Sequence, residues 1–312
     1  MSLFGGLKDK LYRAYARHSQ LFDAAGKFLL CGGMCILIRE AVPFHALLSN
    51  LLLLGVISAI AMLLPLQVIP VIGAVLITAQ SFALDIAAGG AAAALLLVFF
   101  LLFFRFVPDD TLAAVLTPMA MFFGLDPFIP ICCGLRRSPA SVFAVCPGAV
   151  VYAFLRTLSE EADVIRGMET KDYVGKLQLI LGNMFTDSLV VIVLGMAACL
   201  VTVYAVRCLS ADYAPYLGIL LGGLVYILFL LLGRAVLNAE LYLPSALVGT
   251  AAAAAAAYLL LLFWMPLRYA KSEYLRFEDD DYYYYVKAIP KAHGASYPGE
   301  SASFREVPNQ KS

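Results

Sequence analysis

Charge is scarce in this sequence. Only 14 % of its 312 residues are Asp, Glu, Lys or Arg, and 62 % are hydrophobic. A soluble domain is about one quarter charged. A globule of the present composition could not cover its own surface with polar groups, which excludes a soluble enzyme, a nucleic-acid binder and a disordered chain. An excess of either sign is also missing. The 22 basic residues are matched by 22 acidic ones, so the balance points to no polyanionic partner. Histidine occurs only as His18, His45 and His293, none near a cysteine, and the seven cysteines form no C-x-x-C. H-E-x-x-H and a Gly-rich phosphate loop are absent too. The sequence therefore predicts no metal, no other cofactor and no catalytic centre. Any dependence on ATP would call for a separate ATPase subunit.

Long apolar runs are what the chain does have. Its mean hydropathy is +0.86. The expected fold class is all-α: a polytopic transmembrane helix bundle of about eight spans, with a short strand-like cytoplasmic tail. Three regions follow: an N-terminal cytoplasmic amphipathic segment at 1–27, a transmembrane domain at 28–267 and a cytoplasmic tail at 268–312, partly disordered. The spans are expected near 46–64, 66–84, 88–106, 111–135, 140–157, 185–206, 215–236 and 243–267. Residues 28–38 are apolar over only 11 positions before Arg39, Glu40 and Pro43. A crossing needs about 20 residues, so 28–43 reads as re-entrant or interfacial, with nine spans if it crosses as well. Cys31 and Cys35 would share a helix face, as a thiol pair or as small packing residues.

Orientation comes from counting Lys and Arg. With the N-terminus inside and eight spans, 16 basic residues lie inside and 6 outside. Both termini are therefore expected in the cytoplasm. The longest outside loop is 158–184, in which VGKLQLILGNMF has the pattern of an amphipathic helix lying on the outer face.

Several residues stand out as candidates for function. In the fourth span, TLAAVLTPMAMFFGLDPFIPICCGL, Pro118 removes a mid-helix hydrogen bond and Asp126-Pro127 should stop the helix, with Pro130 following. This is either a discontinuous helix with free backbone groups at depth, as in transporters, or two short segments joined by a turn near one surface. Cys146-Pro147-Gly148 predicts a kink in the next span. Asp85, Arg105, Asp126, Asp187, Arg234 and Glu240 fall within or at the ends of apolar stretches. Charges there are costly and have a partner or a role, although Arg105 and Arg234 sit where they could snorkel. Gly218, Gly222 and Gly223, and the small-residue runs 87–94 and 249–257, allow helices to approach closely. In the tail, Tyr282, Tyr283, Tyr284 and Tyr285 follow an acidic run that includes Asp280. Tyr and Val favour strands. A short hairpin there could add to the sheet of a cytoplasmic protein partner.

The tail segment FEDDDYYYYVKAIPK, the 46–84 hairpin, the RFVPDDTLAAVLTP stretch and the final helices resemble an uncharacterised family of polytopic membrane proteins from clostridial bacteria. The resemblance implies a bacterial plasma membrane and carries no activity with it. Two functions remain open. One is a permease-like or transport subunit working at the interrupted helix. The other is a non-catalytic scaffold or assembly factor of a cell-envelope complex, docking a partner through the tail.

Overall fold

A computed structural model describes residues 19–107, 110–169, 172–209, 213–237, 239, 242–264, 273–278 and 283–288. The expected N-terminal amphipathic segment up to residue 18, and Asp280, Tyr282 and Glu240, lie outside the described residues. The chain divides into two compact units, Met1–Phe263 and Trp264–Ser312.

The first unit is a helical bundle. Its helices are α1 (Ser19–Ala41), α2 (Leu51–Ala61), α3 (Ile69–Leu84), α4 (Ile86–Phe106), α5 (Thr111–Phe122), α6 (Phe128–Arg136), α7 (Val142–Gly167), α8 (Tyr173–Met184), α9 (Asp187–Arg207), α10 (Ala214–Leu237) and α11 (Leu243–Trp264). Among the described residues, six helices are long and apolar enough to cross a membrane: those at 20–41, 66–84, 139–167, 187–207, 214–237 and 243–262. Shorter apolar helices run over 51–61, 86–101 and 111–122. The core is built from α1, α3, α4 and α7, with Cys31, Ile77, Ala88, Ala92 and Leu158 among its buried side chains. Large apolar residues such as Leu52, Val75, Leu101 and Val248 face outward. A helix that is apolar all round is suited to lipid rather than water. The composition and surface are those of an integral membrane protein.

Four sequence expectations are corrected here. Residues 28–43 are no re-entrant stub. Helix α1 is continuous over 23 residues: SQLFDAAG adds two turns ahead of the apolar run, and Lys27 between them donates to the Leu64 carbonyl at 2.9 Å. The span expected at 46–64 holds a helix of only 11 residues, capped by Asn50, whose side chain accepts from the Leu52 N–H. Residues 158–184 are no long loop: α7 runs on to Gly167, and α8 buries Lys176, Ile180 and Met184. The amphipathic helix expected within that stretch is present: α8 buries one face and leaves Tyr173, Val174 and Leu181 exposed. Finally, 111–135 is two helices and not one span.

Two ion pairs fix which helix ends meet. Lys176 Nζ lies 2.6 Å from Asp85 Oδ2, with both side chains largely buried. Arg137 Nε lies 3.1 Å from Asp110 Oδ1. Counting spans from the sequence had put the members of each pair on opposite faces. In the structure the members of each pair meet, and 111–136 folds back on itself so that Asp110 and Arg137 lie at one end.

The second unit contains β1 (Glu273–Glu278) and β2 (Tyr283–Ala288), paired antiparallel with Phe277 opposite Tyr284 and Arg276 opposite Tyr285.

Candidate functional site

The site grows from the way α5 ends. Phe122 is followed by Phe123 and by Gly124 at φ +69°, the left-handed conformation that glycine adopts without steric cost. The Gly124 N–H donates to the Met121 carbonyl and the Leu125 N–H to the Ala120 carbonyl, both at 2.9 Å. This is a Schellman cap, and it satisfies carbonyls that the helix end would otherwise leave open. Pro127 then opens α6, and Pro130 stands in its first turn, where a missing N–H costs nothing. Both prolines are buried. At its feet the hairpin is tied by Asp110. This residue is 4 % exposed, is paired with Arg137 and accepts a hydrogen bond from Ser141 Oγ. Helices α5 and α6 therefore leave from and return to the same end of the bundle. At 12 and 9 residues they are about 18 and 14 Å long, well short of a hydrocarbon core of about 30 Å. Thr111–Arg136 is a helical hairpin, the second of the two forms open to the sequence, two short segments joined by a turn, and its Asp126 reaches the middle of α10.

The tip is held at that depth by two contacts. Tyr226, halfway along α10 and fully buried, donates its hydroxyl to Asp126 Oδ2 at 3.0 Å. On α11, Gly249 lies so close that any Cβ would collide with the Gly124 carbonyl oxygen. The run at 249–257 is thus small where the hairpin tip needs the room.

Further down, α5 packs on α7. Pro118 frees the Ala114 carbonyl from its i+4 partner. There α7 presents Gly148, whose added Cβ would sit 2.8 Å from Thr117 Cβ and 3.3 Å from the Ala114 oxygen. Beside this contact, Pro118 and Pro147 line a cavity of about 120 Å³ enclosed by α1, α3, α4, α5 and α7. Of the residues around it, only Tyr152 carries a hydroxyl, amide or charge.

A second, larger cavity of about 590 Å³ opens near the hairpin tip. It is polar. Met121, Tyr152, Arg156, Thr157 and Glu160 form one side, and Asn183 to Leu189, the α8–α9 junction, form the other. Arg156 Nε donates to Glu160 Oε1 at 2.7 Å, and Asn183 donates to Glu161 Oε1 at 2.8 Å. Asp187 adds a further carboxylate in the first turn of α9. Tyr152 is the residue that borders both cavities. The charges of Arg156, Asp126 and Glu160 are all within electrostatic reach of it.

The structure thus gathers Asp126, Pro118, Pro127 and Pro130 on one hairpin and leaves the other candidates elsewhere. Asp85 caps α4, accepting from the Ala87 N–H at 2.8 Å, and pairs with Lys176. Arg234 is exposed in the last turn of α10. Arg105 falls in the last turn of α4, and its side chain lies outside the described residues. Sequence reasoning missed Tyr226, Tyr152, Arg156 and Glu160. A signal existed for Tyr226: a phenol in the middle of LVYILF needs a buried partner. For metals, no cluster of three or more His, Cys, Asp or Glu occurs among the described residues. No known protein family, curated protein or solved structure matches the chain.

Proposed function

We propose that the chain is a permease-like integral membrane protein, a transport subunit of a bacterial plasma membrane, with the Thr111–Arg136 hairpin as the floor of its substrate path. One observation carries the reading. A broken helix carries a carboxylate with a buried partner, Asp126 held by Tyr226, and its Met121 lines a polar cavity of about 590 Å³. Non-helical backbone is tolerated at membrane depth only where protein or a water-filled cavity surrounds it, and such breaks bind substrates in transporters. Eight passes are proposed: α1 to α4, α7 and α9 to α11, the 11-residue α2 being completed by its flanking turns, which are tied at His45 to Gln80 on one side and at Leu64 to Lys27 on the other. The end with Arg136, Arg137 and Arg207 faces the cytoplasm, as do both termini. The cavity with Glu160 and Asp187 then opens outward.

The test compares cells carrying the wild-type chain, no chain, or Asp126→Ala at equal membrane levels. The small molecules they retain and release are profiled across ions and metabolites. The expected result is a solute whose distribution depends on the wild-type chain and reverts in Asp126→Ala. Three identical profiles would exclude transport of a water-soluble solute.

A scaffold function is favoured by one separate observation, the β1–β2 pairing in the second unit. A two-stranded sheet leaves backbone donors and acceptors unpaired on both edges. On this reading the full-length solubilised chain captures a specific cytoplasmic protein, and Tyr284→Asp weakens the capture. Recovery of nothing above background counts against it.

A further inference from the structure

We propose that the two cavities flanking Tyr152 are one binding site for an amphiphile. The apolar cavity takes an alkyl chain, and the polar cavity takes a zwitterionic headgroup ending in an ammonium, the chemistry of a phosphatidylethanolamine. The inference rests on the carrier reading and names its substrate class.

Three observations carry it. The first is the abrupt change of lining along α7. Leu155 borders the apolar cavity, while its neighbour Arg156 borders the polar one. Tyr152, one turn earlier, closes both. A ligand reaching across that tyrosine must be apolar on one side and polar on the other. The second is the dryness of the inner cavity. Apart from Tyr152 its side chains carry no hydroxyl, amide or charge, and a lining so poor in polar partners holds water weakly. It therefore suits neither a hydrated ion nor a sugar, whereas an alkyl chain loses nothing there. Access comes from the outer surface, because Phe122 and Phe143 both line the cavity and are each 42 % exposed. The third is the charge of the outer cavity. One guanidinium, Arg156, is set against two carboxylates, Glu160 and Asp187. Arg156, whose Nε is held by Glu160 Oε1, can meet a phosphate with its terminal nitrogens, while Asp187 and the second oxygen of Glu160 meet an ammonium. An anionic headgroup without the ammonium would face the two carboxylates unpaired.

The full-length chain is reconstituted in nanodiscs with phosphatidylethanolamine or phosphatidylglycerol carrying a photoreactive group midway along one acyl chain, and the labelled residues are mapped by mass spectrometry. Label is expected at Met119, Phe122 and Val151, with the ethanolamine lipid favoured by about fivefold, the size of an exposed ion pair. Val151→Trp should abolish that label. Glu160→Gln combined with Asp187→Asn, which leaves the packing alone, should remove or reverse the headgroup preference. Label spread only over outward faces, or equal labelling by both lipids, overturns the proposal even if Val151→Trp fails to fold. The two readings can also fail separately. Labelled cavities without lipid movement between leaflets leave the site standing and remove the carrier. Flux of a water-soluble solute without cavity label does the reverse.

Discussion

Asp126 and Tyr226 show how little a membrane interior tolerates an unpaired polar group. Tyr226 sits at zero exposure among apolar neighbours on α10, and its hydroxyl reaches the carboxylate at 3.0 Å. Tyr226→Phe should destabilise the solubilised protein by about 1–3 kcal/mol, the cost of stranding a buried acceptor. Asp126→Asn keeps an acceptor and should cost less, so a thermal melt in detergent should rank the two in that order. Lys176 makes the same point with charge. It is 3 % exposed beside Asp85. Removing one member of a buried pair costs about 3–5 kcal/mol, while replacing both is close to neutral. Lys176→Met alone should therefore lower the melting temperature sharply, and Lys176→Met with Asp85→Asn should recover most of the loss. Both carboxylates were visible in the sequence as charges next to apolar runs. Their partners were not, because Tyr226 and Lys176 lie far along the chain and only the tertiary fold brings them near.

At the scale of elements, the hairpin is the part that decides the reading. Pro118, Gly124, Pro127 and Pro130 are local signals, and each acts on the backbone within a turn of itself. That locality is why the interruption was legible in the sequence. Its direction was not. Whether α6 goes on across the bundle or turns back depends on Asp110 meeting Arg137 and Ser141, and no periodicity encodes such a contact. The length of α1 was hidden for a related reason. Lys27, Arg39 and Glu40 shorten the apolar run to 11 residues, yet helical hydrogen bonding continues through them once Lys27 finds the Leu64 carbonyl. The seat of the hairpin tip gives a further prediction. Gly249→Val forces a side chain against the Gly124 carbonyl. It should cost about 1–3 kcal/mol as an overpacked contact and abolish any activity that depends on the hairpin. Gly182→Ala, at a position with nothing close by, should leave both unchanged.

For the molecule as a whole, the sparse charge sorts to the two ends of the bundle. Arg136, Arg137 and Arg207 gather at one end, and Glu160, Glu161 and Asp187 at the other. Correcting the path of the chain exchanges Arg39 and Arg105 between faces and leaves the sign of the imbalance as it was, so the proposed orientation survives the change in topology. Glu160→Cys should accordingly react with a membrane-impermeant maleimide in intact cells, and Arg207→Cys only after permeabilisation. The most direct measurement bears on the hairpin itself. In a background without the native cysteines, single cysteines at Phe106 and Ser138, both exposed and on either side of Thr111–Arg136, are labelled from each face in turn. The hairpin requires that both react from the cytoplasmic face alone. One reacting from each face would make the segment a crossing helix and contradict the account.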